Sequence, residues 1–154
     1  TKVYNSGTIR RMLAKAMDEA AAESAALLIL DVDRFKAVND SLGHQTGDRV
    51  LQLVARGLKS VLRCTDILGR LGGDEFCIYL AGVPSYAFAC EICGRINAAV
   101  TAEAERAGIS MKITVSIGGT MLRPEDDFEA AYARADISLY EAKKLGRNTF
   151  FVGK

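Results

Sequence analysis

Two short acidic motifs carry the residues of this chain that are best suited to chemistry. One is Asp74-Glu75, which directly follows the pair Gly72-Gly73, and the other is Asp31-Val32-Asp33, which ends a run of apolar residues. Residues two apart in an extended segment point the same way, so Asp31 and Asp33 are expected on one side. If folding brings the two motifs together, their carboxylates repel one another unless a hard cation such as Mg²⁺ or Mn²⁺ lies among them. The pair of motifs therefore predicts a metal site, although each motif alone is also typical of a solvated strand end.

The glycine pair predicts how the first motif is presented. Apolar residues at 66–71 and 75–80 flank Gly72-Gly73 and predict two strands joined by a tight turn. Glycine adopts the positive φ angles that such turns require. Because Gly72 and Gly73 have no side chains, a bulky charged ligand can approach the backbone beside the acids. The second acidic motif is followed by a predicted helical turn at 34–40, whose free N–H groups are suited to bind phosphate oxygens.

Composition limits the function classes. The chain has 154 residues, 49% of them hydrophobic, and a net charge of +1, which indicates a single globular domain over residues 1–154. The charge gives no reason to expect nucleic-acid binding. The longest apolar run, at 25–30, is too short to cross a bilayer, so we expect no direct membrane contact from this segment. Cys90-x-x-Cys93 lies in a helical pattern and is interpreted as core thiols, with half of a zinc or redox site as the alternative.

The hydrophobic pattern predicts an α+β domain in which helices flank a mixed or antiparallel sheet of five strands. Since the chain begins at Thr1 without Met, we expect it to be a piece of a longer protein. The predicted loops are residues 1–7 and 41–47, the helices are 8–22, 34–40, 48–63, 84–107 and 126–144, and the strands are 26–30, 66–71, 75–80, 111–118 and 149–152.

With these motifs in view, the sequence resembles the GGDEF family of diguanylate cyclase domains over essentially its whole length. Gly72-Gly73-Asp74-Glu75-Phe76 matches the family signature. Residues 31–48 and 135–148 match a second and a C-terminal block, and residues 1–5 look like the end of a truncated opening motif. The resemblance implies a fold like that of nucleotide cyclases and polymerase palms, with a ferredoxin-like core. It also implies that two GTP molecules are joined into cyclic di-GMP with release of pyrophosphate.

The resemblance assigns roles to individual residues. Asp31, the Val32 carbonyl, Asp74 and Glu75 are expected to bind Mg²⁺ or Mn²⁺, and Asp74 and Glu75 are the catalytic residues, with Asp74 as the base. Asp33 lies nearby and is not assigned as a ligand. The expected GTP-binding residues are Gly72 and Gly73 in the turn, Phe35, Lys36, Lys143 and Arg147 at the phosphates, and Asn39, His44 and Asp48 at the nucleoside.

Several of these roles have simpler alternatives when the residues are taken alone. Lys143 and Arg147 are also typical of a cationic helix C-terminus, and Asp48 is typical of an acid at a helix start. A carboxylate at Asp48 could accept hydrogen bonds from N1–H and the 2-amino group of guanine. Adenine offers no such pair of donors, so Asp48 favours GTP over ATP.

A further motif, Arg63-x-x-Asp66, lies upstream of the signature at the spacing of the family's product-inhibitory site. Arginine suits guanine and phosphate alike, and Arg95 is a weaker candidate for a second arginine there. An ordinary surface Arg–Asp pair is the alternative.

The resemblance further implies a homodimer for catalysis, an upstream sensor domain, and a cytoplasmic location, including the cytoplasmic part of a membrane-bound sensor. A non-catalytic GTP- or cyclic-di-GMP-binding signalling module is the alternative function.

Overall fold

A computed structural model of the chain describes residues 3–19 and 23–154. Eleven helices and strands follow one another in the described residues. They are β1 (Val3–Tyr4), α1 (Ser6–Glu19), β2 (Ala26–Val32), α2 (Phe35–Leu42), α3 (His44–Val61), β3 (Ile67–Gly72), β4 (Glu75–Leu80), α4 (Tyr86–Arg106), β5 (Val115–Met121), α5 (Phe128–Lys144) and β6 (Phe150–Gly153).

The strands form one mixed sheet in the order β1-β3-β4-β2-β5-β6. The four central strands are antiparallel, and the short edge strands β1 and β6 pair in parallel with β3 and β5. The predicted α+β class is confirmed. The predicted number of strands was wrong by one, because Val3–Tyr4 pairs with β3 where a loop was expected.

Each face of the sheet packs against its own pair of long helices. On β4, Phe76, Ile78 and Leu80 belong to the core that includes α3 and α4. The residues between them, Cys77 and Tyr79, belong to the core that includes α1 and α5. This alternation is the one expected of a strand, since successive side chains point to opposite sides of a sheet. The hairpin therefore lies between two apolar layers, with its tip at one end of the sheet.

Two predicted boundaries near the site were wrong. Residues 41–47 are helical apart from Gly43, which has a φ of 85° and separates α2 from α3. The tight turn consists of Gly73 and Asp74 and not of the two glycines, because Gly72 still pairs with Glu75 across the hairpin. Asp74 is therefore itself a turn residue.

The strand predicted at 111–118 is displaced towards its C-terminus. β5 begins at Val115, opposite Val32, which is the last residue of β2. The preceding residues have no strand beside them with which to pair, so they stay irregular despite their alternating pattern. The other predicted helices and strands are present with shifted ends, and residues 20–22 of the predicted first helix lie outside the described residues.

The cysteine pair lies where the helical pattern placed it. Cys93 is buried in the core beneath α4, and Cys90 packs against the same cluster. All four cysteines are free thiols. Across residues 3–19 and 23–154, none of the helices combines the length and the apolar character needed to span a bilayer.

Helix α5 lies unusually close to β5. A Cβ atom added to Gly118 would lie 2.1 Å from the Leu139 backbone nitrogen and 2.3 Å from the Ala135 carbonyl oxygen. The start of the same helix is held by Arg134, which donates to Asp126 at 2.5 and 2.7 Å and to the Met121 carbonyl oxygen. These contacts fix the position of α5, whose last turn carries Lys143.

Candidate active site

The two acidic motifs meet because β2 and β4 are neighbours in the sheet. Asp31 lies directly opposite Glu75, and the Val32 backbone N–H donates to the Asp74 carbonyl oxygen at 3.3 Å. The register of the two strands therefore places Asp31, Asp74 and Glu75 together at one end of the sheet. This confirms that the end of β2 lies against the glycine turn.

The carboxylates raise one another's proton affinity. Burial, followed by the negative charge of Asp31, raises the pKa of Asp74 above its usual value. Burial also raises the pKa of Glu75, and the charges of Asp31, Asp136 and Asp74 add to this effect. A hydrogen bond from the Tyr132 hydroxyl to Glu75 Oε1, at 2.7 Å, opposes the rise. The site therefore carries more negative charge than its surroundings compensate.

Lys143 is the cation in direct contact with this cluster. Its Nζ lies 2.5 Å from Asp31 Oδ2, and the side chains of Lys143 and Asp31 are 35% and 18% exposed. A second cation, Arg70, donates from Nε to the Gly73 carbonyl oxygen at 2.8 Å and thereby braces the turn. The sequence placed Lys143 at the phosphates and did not indicate its contact with Asp31.

The donor set fits a divalent cation that retains ligands from outside the protein. Asp31, Asp74 and Glu75 offer the carboxylate oxygens that Mg²⁺ and Mn²⁺ prefer, and the raised pKa values of Asp74 and Glu75 show that positive charge would be favoured among them. Among the described residues, no three Asp, Glu, His or Cys side chains are arranged to enclose a metal by themselves. An ion bound here would therefore also need ligands from water and from the substrate phosphates, as is common for Mg²⁺.

Asp33 has a different role from Asp31. It is 8% exposed, and its carboxylate accepts hydrogen bonds from the Thr114 hydroxyl at 2.7 Å, the Ser116 hydroxyl at 2.6 Å and the Asn148 backbone N–H at 2.9 Å. These bonds tie the end of β2 to β5 and to the loop after α5. Sequence reasoning missed this network, although hydroxyl residues alternating with Ile113, Val115 and Ile117 gave a signal for it.

The predicted nucleoside residues lie on α2 and α3. Asn39 packs against Gly47, where an added Cβ would lie 1.9 Å from Asn39 Oδ1. The absence of a side chain at 47 leaves room for the Asn39 amide, which lies beside the turn of helix that carries Asp48. His44 is the first residue of α3, and both His44 and Lys36 are exposed.

Asp48 also borders an open groove of about 300 Å³. The walls of the groove include the apolar side chains of Val3, Leu51 and Phe76, with Arg70 at its margin. A carboxylate at the edge of an apolar groove is suited to hold a planar ring whose rim carries hydrogen-bond donors. Asp48 lies in the second turn of α3, so it is not the acid of a helix start.

Lys143 and Arg147 are not brought onto a common partner. Lys143 contacts Asp31, whereas Arg147 is exposed and lies in the loop after α5 with a φ of 63°. Phe35 begins α2 and packs against the core. Both basic residues nevertheless lie near the end of β2, since Lys143 contacts Asp31 and Arg147 lines a cavity with Asp33 and Arg34.

Arg63 and Asp66 form a pair that also connects the loop after α3 to Ala81, the residue that follows β4. Asp66 is 6% exposed and accepts hydrogen bonds from the backbone N–H groups of Arg63 and Ala81. The Arg63 guanidinium donates to the Ala81 carbonyl oxygen and lies 5.7 Å from the ring centre of Phe88. Its side chain is 47% exposed, which leaves part of the guanidinium accessible. Arg95 lies on the exposed side of α4, and the structure shows no contact between it and this pair.

Comparison with known proteins matches this arrangement to one family. The family model "Diguanylate cyclase, GGDEF domain" matches residues 1–149. Among curated relatives, the probable diguanylate cyclase DgcC of Escherichia coli K12 is 34% identical over 151 residues, which cover 96% of this chain and 40% of DgcC. The chain spans less than half the length of the curated relatives it matches.

Two crystal structures extend the match to three dimensions. The GGDEF domain of DgcB from Caulobacter crescentus, in complex with c-di-GMP, superposes with a TM-score of 0.89 at 30% identity, covering 99% of this chain and 92% of that one. The diguanylate cyclase SiaD from Pseudomonas aeruginosa, in complex with its activator SiaC, gives 0.88 at 34% identity, covering 97% and 58%.

Proposed function

Since the chain belongs to the GGDEF family of diguanylate cyclase domains, we propose that it condenses two GTP molecules into cyclic di-GMP and releases a pyrophosphate at each bond-forming step. The observation that carries the proposal is the register of Asp31 opposite Glu75, which gathers the carboxylates of both motifs at the hairpin tip. The pKa values of Asp74 and Glu75 are both raised, and perturbed pKa values of this kind cluster at functional sites.

The hairpin tip supplies the groups nearest to the reacting atoms. In each step a 3′-hydroxyl of one GTP attacks the α-phosphorus of the other, and the bond to pyrophosphate breaks. Asp74, in the turn of the hairpin, accepts the hydroxyl proton. A Mg²⁺ or Mn²⁺ ion bound by Asp31, the Val32 carbonyl, Asp74 and Glu75 would neutralise charge on the phosphoryl oxygens. Gly72 and Gly73 leave room for the nucleotide beside these acids.

The remaining residues orient the substrate. Phe35, Lys36, Lys143 and Arg147 border the phosphates, and Asn39, His44 and Asp48 border the nucleoside. The apolar groove beside Asp48 would take the guanine ring, with the carboxylate accepting from N1–H and the 2-amino group. Because adenine offers no such pair of donors, this contact would select GTP over ATP.

Catalysis requires two chains, because each domain holds one GTP and the two nucleotides must face each other. We therefore propose a homodimer of domains, brought together by an upstream sensor segment of a longer protein and acting in the cytoplasm, where GTP is available. We also propose that cyclic di-GMP inhibits turnover by binding at Arg63, with Asp66 and Arg95 as the neighbouring groups. The accessible part of the Arg63 guanidinium supports this assignment.

The test is product formation by the chain fused to a dimerising segment. We expect cyclic di-GMP by mass spectrometry and pyrophosphate release that depends on GTP and Mg²⁺. Asp74→Ala should lower the rate by about a hundredfold or more, whereas the matched control Asp18→Ala, an exposed acid on α1, should not change it. GTP binding without any product from the parent fusion would contradict the proposal and indicate a non-catalytic binding module.

Two further measurements examine the finer assignments. With GTP and ATP supplied together, the product should contain guanine only, and a mixed dinucleotide would contradict the role of Asp48. Arg63→Ala should raise the rate at high concentrations of cyclic di-GMP. Unchanged inhibition in this variant would remove the inhibitory assignment.

A further inference from the structure

A cavity lined by several basic residues lies next to the residues that follow β2. It has a volume of about 220 Å³ and is formed where the start of α2, the segment before β5 and the loop after α5 meet. Three of its lining residues are the cations Arg34, Lys112 and Arg147. Arg34 directly follows the acidic end of β2, whereas Lys112 lies far along the chain from it.

The cations of this cavity have no anionic partner in the protein. Across residues 3–19 and 23–154, neither an ion pair nor a side-chain hydrogen bond joins Arg34, Lys112 or Arg147 to another residue. The carboxylate in the lining is Asp33, and both of its oxygens already accept hydrogen bonds from Thr114, Ser116 and Asn148. The cavity therefore holds uncompensated positive charge, which favours an anion within it.

The rim of the cavity is held in position before any ligand arrives. Arg34, Arg147 and Asn148 all have positive φ angles, of 54°, 63° and 46°. The bond from the Asn148 N–H to the buried Asp33 carboxylate fixes this loop to the end of β2. The backbone of the rim is therefore held in place, while the three cationic side chains are exposed and available to a ligand.

Two of the residues that line the cavity follow residues of the candidate active site closely along the chain. Asp33, in its wall, is two residues beyond Asp31, and Arg147 is four residues beyond Lys143, whose ammonium contacts Asp31. We propose that Arg34 and Lys112, with Arg147, bind the terminal phosphate of the nucleoside triphosphate and thereby select triphosphates over diphosphates. The inference rests on the proposed function and adds two phosphate ligands to it. Highly charged phosphate groups are suited to such clusters of guanidinium and ammonium groups.

The experiment compares GMP, GDP and a non-hydrolysable GTP analogue by titration calorimetry at low ionic strength, with Mg²⁺ present. Lys112→Gln and Arg34→Gln should each weaken binding of the GTP analogue by about threefold to fivefold, and the double variant by about tenfold. Binding of GMP should stay unchanged. The matched controls are Lys59→Gln and Arg11→Gln, which remove exposed cations from α3 and α1 and should leave all three affinities unchanged.

The outcomes separate this inference from the proposed function. Unchanged affinity for the GTP analogue in the double variant, or an equal loss for GMP, would overturn the role of Arg34 and Lys112. The dimerised parent protein is assayed for cyclic di-GMP in parallel. A selective loss of triphosphate binding supports the inference even if no product forms, and product formation with unchanged nucleotide selectivity supports only the proposed function.

Discussion

Replacing Asp33 should destabilise the protein in a way that depends on the geometry of its three hydrogen bonds. Asp33 is almost fully buried, and Oδ2 accepts from both Thr114 and the Asn148 N–H, while Oδ1 accepts from Ser116. Asp33→Ala leaves all three donors without their acceptor. At about 1 kcal/mol for each lost bond, the free energy of unfolding should fall by about 3 kcal/mol.

Asp33→Asn should cost less, about 1–2 kcal/mol, for a specific reason. If the amide oxygen occupies the position of Oδ2, it still accepts from Thr114 and from the Asn148 N–H. The amide NH₂ then faces the Ser116 hydroxyl, which can rotate and accept. A backbone N–H cannot rotate in this way, so the opposite orientation of the amide would be costlier.

Urea unfolding of the parent, both variants and the exposed control Asp18→Asn measures these differences. The Asp33→Ala and Ser116→Ala substitutions should also couple in a double-mutant cycle, because Ser116 loses the same bond in either variant. A stability of Asp33→Ala within about 0.5 kcal/mol of the parent, or equal stabilities of the alanine and asparagine variants, would contradict a stabilising role of these hydrogen bonds.

Three other predictions follow from the packing. Gly118→Ala should unfold the chain or lower its melting temperature sharply, since the new methyl group would overlap the backbone of α5, whereas Gly94→Ala, with nothing closer than 3.9 Å, should have little effect. Hydrogen bonds from Arg134 lower the pKa of Asp126, so the stability that this carboxylate contributes is fully present above its unfolded pKa and is lost as pH falls through its lower folded pKa. The stability difference between the parent and Asp126→Asn should therefore be largest near neutral pH and shrink in acid, and a difference that does not vary with pH would contradict this. Burial raises the pKa of the Cys77 thiol to about 12, so a thiol reagent at pH 8 should modify exposed Cys64 quickly and Cys77 only on unfolding.

Much of the candidate site could be predicted from the sequence because its signals are local. A glycine-containing turn and an acidic strand end are each encoded in a few consecutive residues, and neighbouring strands then bring Asp31 opposite Glu75. The two faces of β4 followed in the same way from the alternation of its side chains.

Features that depend on distant partners could not be predicted in this way. Ile113 has the alternating pattern of a strand yet lies outside β5, because β2 has already ended at Val32 and leaves it no partner. The sequence around Gly43 is typical of a loop, but Gly43 is the single residue between α2 and α3. The Asn39 side chain of α2 packs against Gly47 of α3. The network around Asp33 joins residues more than 80 positions apart, and no local pattern specifies such a pairing.

The glycines of β5 show why the site depends on one such distant contact. A Gly-Gly pair is a reasonable place to end a strand, but Gly118 and Gly119 lie in the middle of β5. The bare backbone at Gly118 lets the Ala135–Leu139 turn of α5 rest directly on the sheet. One turn further along the same helix, Lys143 reaches Asp31. A side chain at 118 would push α5 away from the sheet and separate Lys143 from the acids. The charge balance of the hairpin tip therefore depends on Gly118, which has no side chain and lies outside both acidic motifs.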